Sequence, residues 1–418
     1  MRYALASLVE RKDILFLSLI AFLPISRAVL FVRNTTTRAI SEYAEVDFQN
    51  GINIVATLLM LFLVLRSKAR ESAVNTLRGP TQWFLAYLVF CMVSSIWAGN
   101  LTYVVYRAVE LIAVLFFMAY VLDTVGDPVE AIRYLCRFSA LTALLPYLAM
   151  AVRNGGIFQH TNSFSTSGAF GAALALASIR RGVLRLGDVK WSLTACLAAV
   201  VLGTSSASNI SLIIGVLMIV AASRGRAVSV TRLVLISTVA FLVLTVGFEV
   251  VRPYLFPGKT TEHIRSLRGR TTLYQGFWDA FQEHPFLGYG FASGEKSIKV
   301  SGGVVFNSAH NSVLSVAVNT GIVGLTLFFA GFYRILSILY RADALGYNVA
   351  YPILVAMVVG LINSMSYPLV GSDWRFPTTP FLGIVAYASV FFTPEYCTTE
   401  GDAELDFCET PWERGGMN

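Results

Sequence analysis

Runs of about 20 apolar residues, each long enough to cross about 30 Å of hydrocarbon as a helix, recur along the whole chain. They lie near 14–31, 50–65, 82–98, 103–122, 135–152, 165–179, 191–206, 209–222, 233–250, 311–333, 348–370 and 378–392. A backbone in lipid must satisfy its own hydrogen bonds, which leaves helices and closed barrels, and these runs are too long for barrel strands. The expected fold is therefore an all-α polytopic membrane protein. Charged residues make up 14% of the chain, against about 25% in soluble domains, and the mean hydropathy is +0.64. Basic residues precede the first run (Arg2, Arg11, Lys12) without a small-residue cleavage site after it. That run is read as an uncleaved anchor rather than a signal peptide.

The formal charge of +7 is topological and does not indicate nucleic-acid binding. Arg66, Lys68, Arg70 and Arg78, then Arg180, Arg181, Arg185 and Lys190, fall in alternate connections, while the short connections between them carry four basic residues, Arg33, Arg38, Arg153 and Arg375. The positive-inside rule then places both termini in the cytoplasm and the long segment near 251–310 on the far side, long translocated segments being exempt from the bias. The chain divides into a membrane domain (1–250), a long outside loop (251–310), a second membrane domain (311–392) and an acidic cytoplasmic tail (393–418). The five cysteines suggest neither a disulfide framework nor a zinc site.

The ionisable chemistry concentrates in one stretch, Glu262–Gly324. Three of the four histidines (His263, His284, His310) and the cluster Arg265, Arg268 and Arg270 lie there. Between Thr271 and Glu283 the apolar residues Leu273, Phe277, Trp278 and Phe281 recur at helical spacing. This predicts a short amphipathic helix, ended by Pro285, whose aromatic face suits the membrane interface. The loop returns through Ser308-Ala309-His310-Asn311 to the tenth apolar run, which places His310 at the membrane boundary. An imidazole takes up a proton near neutral pH, and arginine forks match phosphate oxygens. Together they suit a lipid-anchored diphosphate whose acceptor hydroxyl is activated by histidine. Acids of the loop (Glu262, Glu283, Glu295) are alternative bases. No clustered ligand set points to a metal.

Other oddities have plainer readings. Arg107 and Glu110 share a helix face at i,i+3, so a local ion pair is expected. Arg27 lies within the first run and must face protein or water. The stretch GIFQHTNSFSTSGAF (156–170) carries His160, read either as a solvated loop histidine or as a substrate contact, and its small residues permit close helix packing. Gly288, Gly290, Gly321 and Gly324 are read as shaping turns and packing. A transporter or flippase of lipid-linked glycans is a competing class. Coupled carriers place acids along a central path, whereas here the ionisable groups within spans are few: Arg27, Arg107, Glu110 and, near an end, Glu249. A scaffold subunit of an envelope assembly also stays open.

The long-loop region resembles the signature of the O-antigen ligase and O-antigen polymerase family of bacterial membrane glycosyltransferases. The likeness rests on Gly269-Arg270, the helix with Trp278, His284-Pro-Phe-Leu-Gly-Tyr-Gly290, His310-Asn311, and Gly321-Ile-Val-Gly324 after a spacer. Weaker likenesses upstream (VSSIWAGN with YRAVEL, GIFQHTN, TSSASNISL) resemble the exopolysaccharide-polymerising branch. The resemblance implies about twelve transmembrane helices in the bacterial inner membrane, a periplasmic long loop, and an undecaprenyl-diphosphate-linked glycan as donor. It also implies metal-independent inverting transfer to a hydroxyl, with no cofactor. It assigns the essential histidine to His310 and the loop arginine to Arg270; Arg268, Arg265, Asn311, His160 and Trp278 are read beside them as candidate substrate contacts. The acceptor, a saccharide or a lipid-linked glycan, and any chain-length-regulating partner are left open. Ligases of the family carry a further arginine near the outer end of a mid-chain span. Gly203–Ser208 lacks one here, which favours a polymerase over a ligase.

Overall fold

The computed structural model describes residues 14–23, 48–66, 79–154, 162–203, 205–222, 270–300, 304–305, 308–372 and 375–392. The ninth apolar run (233–250), Arg27, Glu249, His160, Glu262, His263, Arg265, Arg268 and the tail (393–418) lie outside the described residues. Within them the chain is helical: α1 Ile14–Leu23, α2 Phe48–Arg66, α3 Gln82–Val93, α4 Leu101–Val125, α5 Pro128–Asn154, α6 Asn162–Arg180, α7 Leu186–Gly203 and α8 Ser206–Ala221. There follow α9 Arg270–Glu283, α10 Gly294–Ser297, α11 Ser312–Ala344, α12 Ala350–Ser364 and α13 Thr378–Phe391. The two-residue strands β1 (Lys299–Val300) and β2 (Val304–Val305) pair antiparallel, a small departure from an all-helical chain. Helices cover, in whole or in part, each expected span that falls on the described residues. Among those residues α4, α7 and α11 are long and apolar enough by themselves to cross a membrane, and six other helices are apolar but shorter.

The bundle is built round α6. Its Gly, Ala and Ser run has almost no side-chain bulk, so α5, α7, α8 and α12 all pack against it. At Gly168 an added Cβ would stand 2.5 Å from the Cys196 carbonyl oxygen, and at Gly171 2.7 Å from Ser139. Small residues here let backbones approach and gain dispersion contacts that lipid cannot supply. On the other side α4 packs with α2, α3 and α13, and α11 with α3 and α12. Large apolar side chains stand exposed on the outer faces, among them Leu58, Val201, Val220 and Phe329. Burying this surface in hydrocarbon is favourable.

At the C-terminal end of α11, away from the long loop, a buried ion pair joins three helices. Arg181 Nη2 lies 2.7 Å from Asp343 Oδ2, and the guanidinium carbon sits 4.3 Å from the centre of the Tyr351 ring. Two charges in a dry place are tolerated only with such close pairing.

Candidate functional site

Helix α11 is not continuous. Gly321 adopts φ 63°, ψ −163°, a conformation open essentially to glycine alone. In an unbroken helix the amides of Ile322 and Val323 would donate to the carbonyls of Val318 and Asn319. Here they donate instead to Pro285 (2.8 Å) and Phe286 (3.3 Å), while the Val318 and Asn319 carbonyls accept from Tyr289 (2.9 Å) and Gly290 (2.8 Å). The segment His284–Gly290 thus inserts into the break and replaces the lost bonds one for one. An added Cβ on Gly288 would meet the Val318 oxygen at 2.5 Å, and one on Gly321 the Phe286 oxygen at 2.2 Å. Of the glycines read as shaping turns and packing, Gly288, Gly290 and Gly321 form this joint.

The other side of the turn rests on the end of α3. Ser94 Oγ accepts from the Phe291 amide at 2.8 Å, and the Trp97 indole donates to the Leu287 carbonyl at 3.3 Å. The VSSIWAGN stretch is therefore a seat for the returning loop.

Helix α9 forms where the apolar periodicity places it, but its face is used differently. Leu273 and Phe277 are buried with Ala280, Ile298, Ala309 and Val318, so this face packs on the protein and not on the membrane surface. Periodicity identifies an apolar stripe but not what covers it. Trp278 lies off that stripe, 48% exposed, with its ring 5.4 Å from Phe281. Arg270 is the first residue of α9, whose buried face shares one cluster with Ala309, the neighbour of His310. The two elements meet.

His310 is half-buried at the mouth of α11. Its φ of 51° is left-handed, a conformation rare outside glycine and enriched at functional sites when a non-glycine residue adopts it. Its amide donates to Ser308 Oγ at 3.2 Å. Asn311 caps the helix, Oδ1 accepting from the amides of Val313 (2.9 Å) and Leu314 (3.2 Å). That oxygen is committed to two amides that would otherwise be orphans. The candidate contact of Asn311 with substrate is thereby reduced to its other side-chain atom.

Glu295, read as an alternative base, has both carboxylate oxygens engaged. It is fully buried; Oε2 accepts from the Ala309 amide at 2.8 Å and Oε1 from Asn319 Nδ2 at 3.0 Å. Glu283 is exposed and accepts from the Tyr289 phenol at 2.5 Å. Burial, and then the Glu283 carboxylate, push that phenol up to about 12. Tyr289 therefore stays protonated at neutral pH and acts as a donor. The exposed His284 stands edge-on to Tyr289, ring centres 4.4 Å apart.

Sequence reasoning missed Lys296. Only 4% exposed, it donates to the Tyr103 hydroxyl and its ammonium lies 4.4 Å from the centre of that ring. Arg107 approaches the same ring at 5.2 Å and pairs with Glu110 at 2.8 Å, as the i,i+3 spacing predicts. Glu110 also accepts from Asn53 Nδ2 at 3.2 Å. Glu110→Gln leaves the Arg107 charge buried without its counter-charge. It should lower stability by about 3–5 kcal/mol, read as a fall in the unfolding midpoint in detergent. Replacing both residues by apolar ones of similar volume should cost much less.

Residues 191–329 match the family model described as O-antigen ligase. The matched stretch runs from α7 through the joint at Gly321, and so contains Arg270, the His284–Gly290 turn and His310. No curated protein matches the chain. O-antigen ligase family proteins carry out glycan transfer of the ligase or polymerase type on lipid-linked glycans at the bacterial inner membrane.

Proposed function

We propose that this protein polymerises undecaprenyl-diphosphate-linked oligosaccharide repeat units into a surface or exopolysaccharide, by metal-independent inverting transfer at the periplasmic face. The observation that carries this reading is His310, held left-handed at the mouth of a broken helix inside the stretch that matches the O-antigen ligase family model. His310 takes the proton of the acceptor sugar hydroxyl as its oxygen attacks the anomeric carbon. The bond from that carbon to the diphosphate oxygen breaks with inversion. Arg270, supported by Arg268 and Arg265, neutralises the departing undecaprenyl diphosphate, while Trp278 and His160 contact the glycan. The proposed topology has about twelve spans, cytoplasmic termini, and the 251–310 loop outside between membrane domains 1–250 and 311–392. The missing arginine at Gly203–Ser208 favours polymerisation. The ligase description of the matched domain favours transfer to lipid A-core or protein as the second reading.

The deciding experiment supplies purified protein with a polyprenyl-diphosphate oligosaccharide, in the presence of a chelator. Ladders of lengthened lipid-linked glycan support the polymerase, and transfer only to added lipid A-core supports the ligase. Movement across liposomes without bond formation defeats both. In the same assay Arg270→Ala should lower turnover by about 10²–10³-fold, the cost of removing one preorganised charge donor. Arg270→Lys should recover only part of it, because a point charge does not replace a fork.

A further inference from the structure

Glu295 and Asn319 form a closed, fully buried pair. The Glu295 amide donates to Asn319 Oδ1 at 3.1 Å, and Asn319 Nδ2 donates back to Glu295 Oε1 at 3.0 Å. Each makes a further bond. Asn319 Nδ2 donates to the Gly371 carbonyl at 2.9 Å, which ties in the chain just after α12. Glu295 Oε2 accepts from the Ala309 amide at 2.8 Å. The amide that this carboxylate grips belongs to the peptide one residue ahead of the left-handed His310. Asn319 itself is immobilised, since its carbonyl takes the Gly290 amide at the break in α11.

A carboxylate is acceptor-only, and two of the donors facing it are fixed, one on the backbone and one on an amide with a second commitment. A neutral side chain of the same shape cannot serve both. A strained conformation relaxes unless its surroundings over-determine it. We infer that Glu295 is a positioning residue: with Asn319 it locks the Ala309 amide and so holds the His310 imidazole where the acceptor hydroxyl must meet it. The inference rests on the proposed role of His310 as base. It gives Glu295 no contact with substrate and no proton to carry.

The test uses full-length protein in the transfer assay, with rates expressed per molecule inserted. Glu295→Gln puts an N–H against one of two N–H donors. It should lower kcat about 10²-fold, the scale of an ångström-sized misplacement, with KM for the lipid-linked donor little changed. Glu295→Gln on top of His310→Ala should be no slower than His310→Ala alone, since a residue acting through another adds nothing once that other is gone. Where Glu295→Gln fails to insert, the swap Glu295→Gln with Asn319→Asp carries the test. It restores the bond to the Ala309 amide and the bond between the two side chains, while the new carboxylate at position 319 faces the Gly371 carbonyl without a proton between them, so it should run slower than wild type but faster than His310→Ala. A wild-type kcat for Glu295→Gln beside a crippled His310→Ala overturns the inference and leaves the proposed function standing. Additive losses in the double variant, or a swap as slow as His310→Ala, overturn it in the same way. His310→Ala at the wild-type rate removes both.

Discussion

His310→Asn should insert and fold as wild type does, yet transfer glycan about 10²–10⁴-fold more slowly, the usual worth of a general base. Asparagine is the sharper probe because residue 310 sits at φ 51°. Asparagine tolerates left-handed backbone, whereas alanine there adds a conformational cost of about 1–2 kcal/mol. Two structural bonds at the site use backbone groups: the His310 amide to Ser308 and the Ala309 amide to Glu295. Neither changes when the imidazole is replaced. Loss of rate at normal abundance would therefore report chemistry rather than folding. Polymer made at the wild-type rate by a normally inserted His310→Asn would falsify the assignment.

What the sequence made legible depends on what each signal encodes. Apolar runs place helices because hydrocarbon leaves a backbone few other options, and helices duly occupy those positions on the described residues. The i,i+3 spacing of Arg107 and Glu110 yielded an ion pair because both partners lie on one element. The stripe of α9 was visible, but its partner was not. Leu273 and Phe277 pack on the protein because the joint at Gly321 brings Val318 and Ala309 beneath them. That joint is tertiary. Nothing local in VNTGIVG says that the amides of Ile322 and Val323 will leave their own helix for Pro285 and Phe286. In the sequence Glu295 stands only as one of three alternative bases of the loop, and nothing local singles out Lys296. Their burial follows from two separate long-range partners, Asn319 for one and Tyr103 for the other. Resemblance supplied His310 and Arg270 as candidates, but only coordinates show why residue 310 is held as it is.

Gly321→Ala should be the most damaging single methyl group in the protein. Two costs coincide. The φ 63°, ψ −163° conformation is closed to alanine, and the new Cβ would stand 2.2 Å from the Phe286 carbonyl oxygen and 2.3 Å from its carbon. Those atoms are backbone and are themselves hydrogen-bonded across the break, so they cannot swing aside. The cheaper response is for α11 to close. Ile322 and Val323 then recover Val318 and Asn319 as partners, and the His284–Gly290 turn is expelled with four backbone groups unpaired. Each such group costs about 1–3 kcal/mol where water cannot reach it. Expulsion also shifts Asn319, the residue that holds Glu295, so the site should fail along with the joint. We expect at least 10²-fold less transfer per inserted molecule, by the same misplacement argument. We also expect new protease cleavage between Pro285 and Gly290. Gly182→Ala is the matched control: φ there is 73°, but nothing lies within 4 Å of the added Cβ. It isolates the backbone cost, about 1–2 kcal/mol, and should spare both transfer and the turn. Equal unfolding midpoints for the two variants in detergent would mean that the docked turn contributes nothing at Gly321, and that helix closure is not what the glycine prevents.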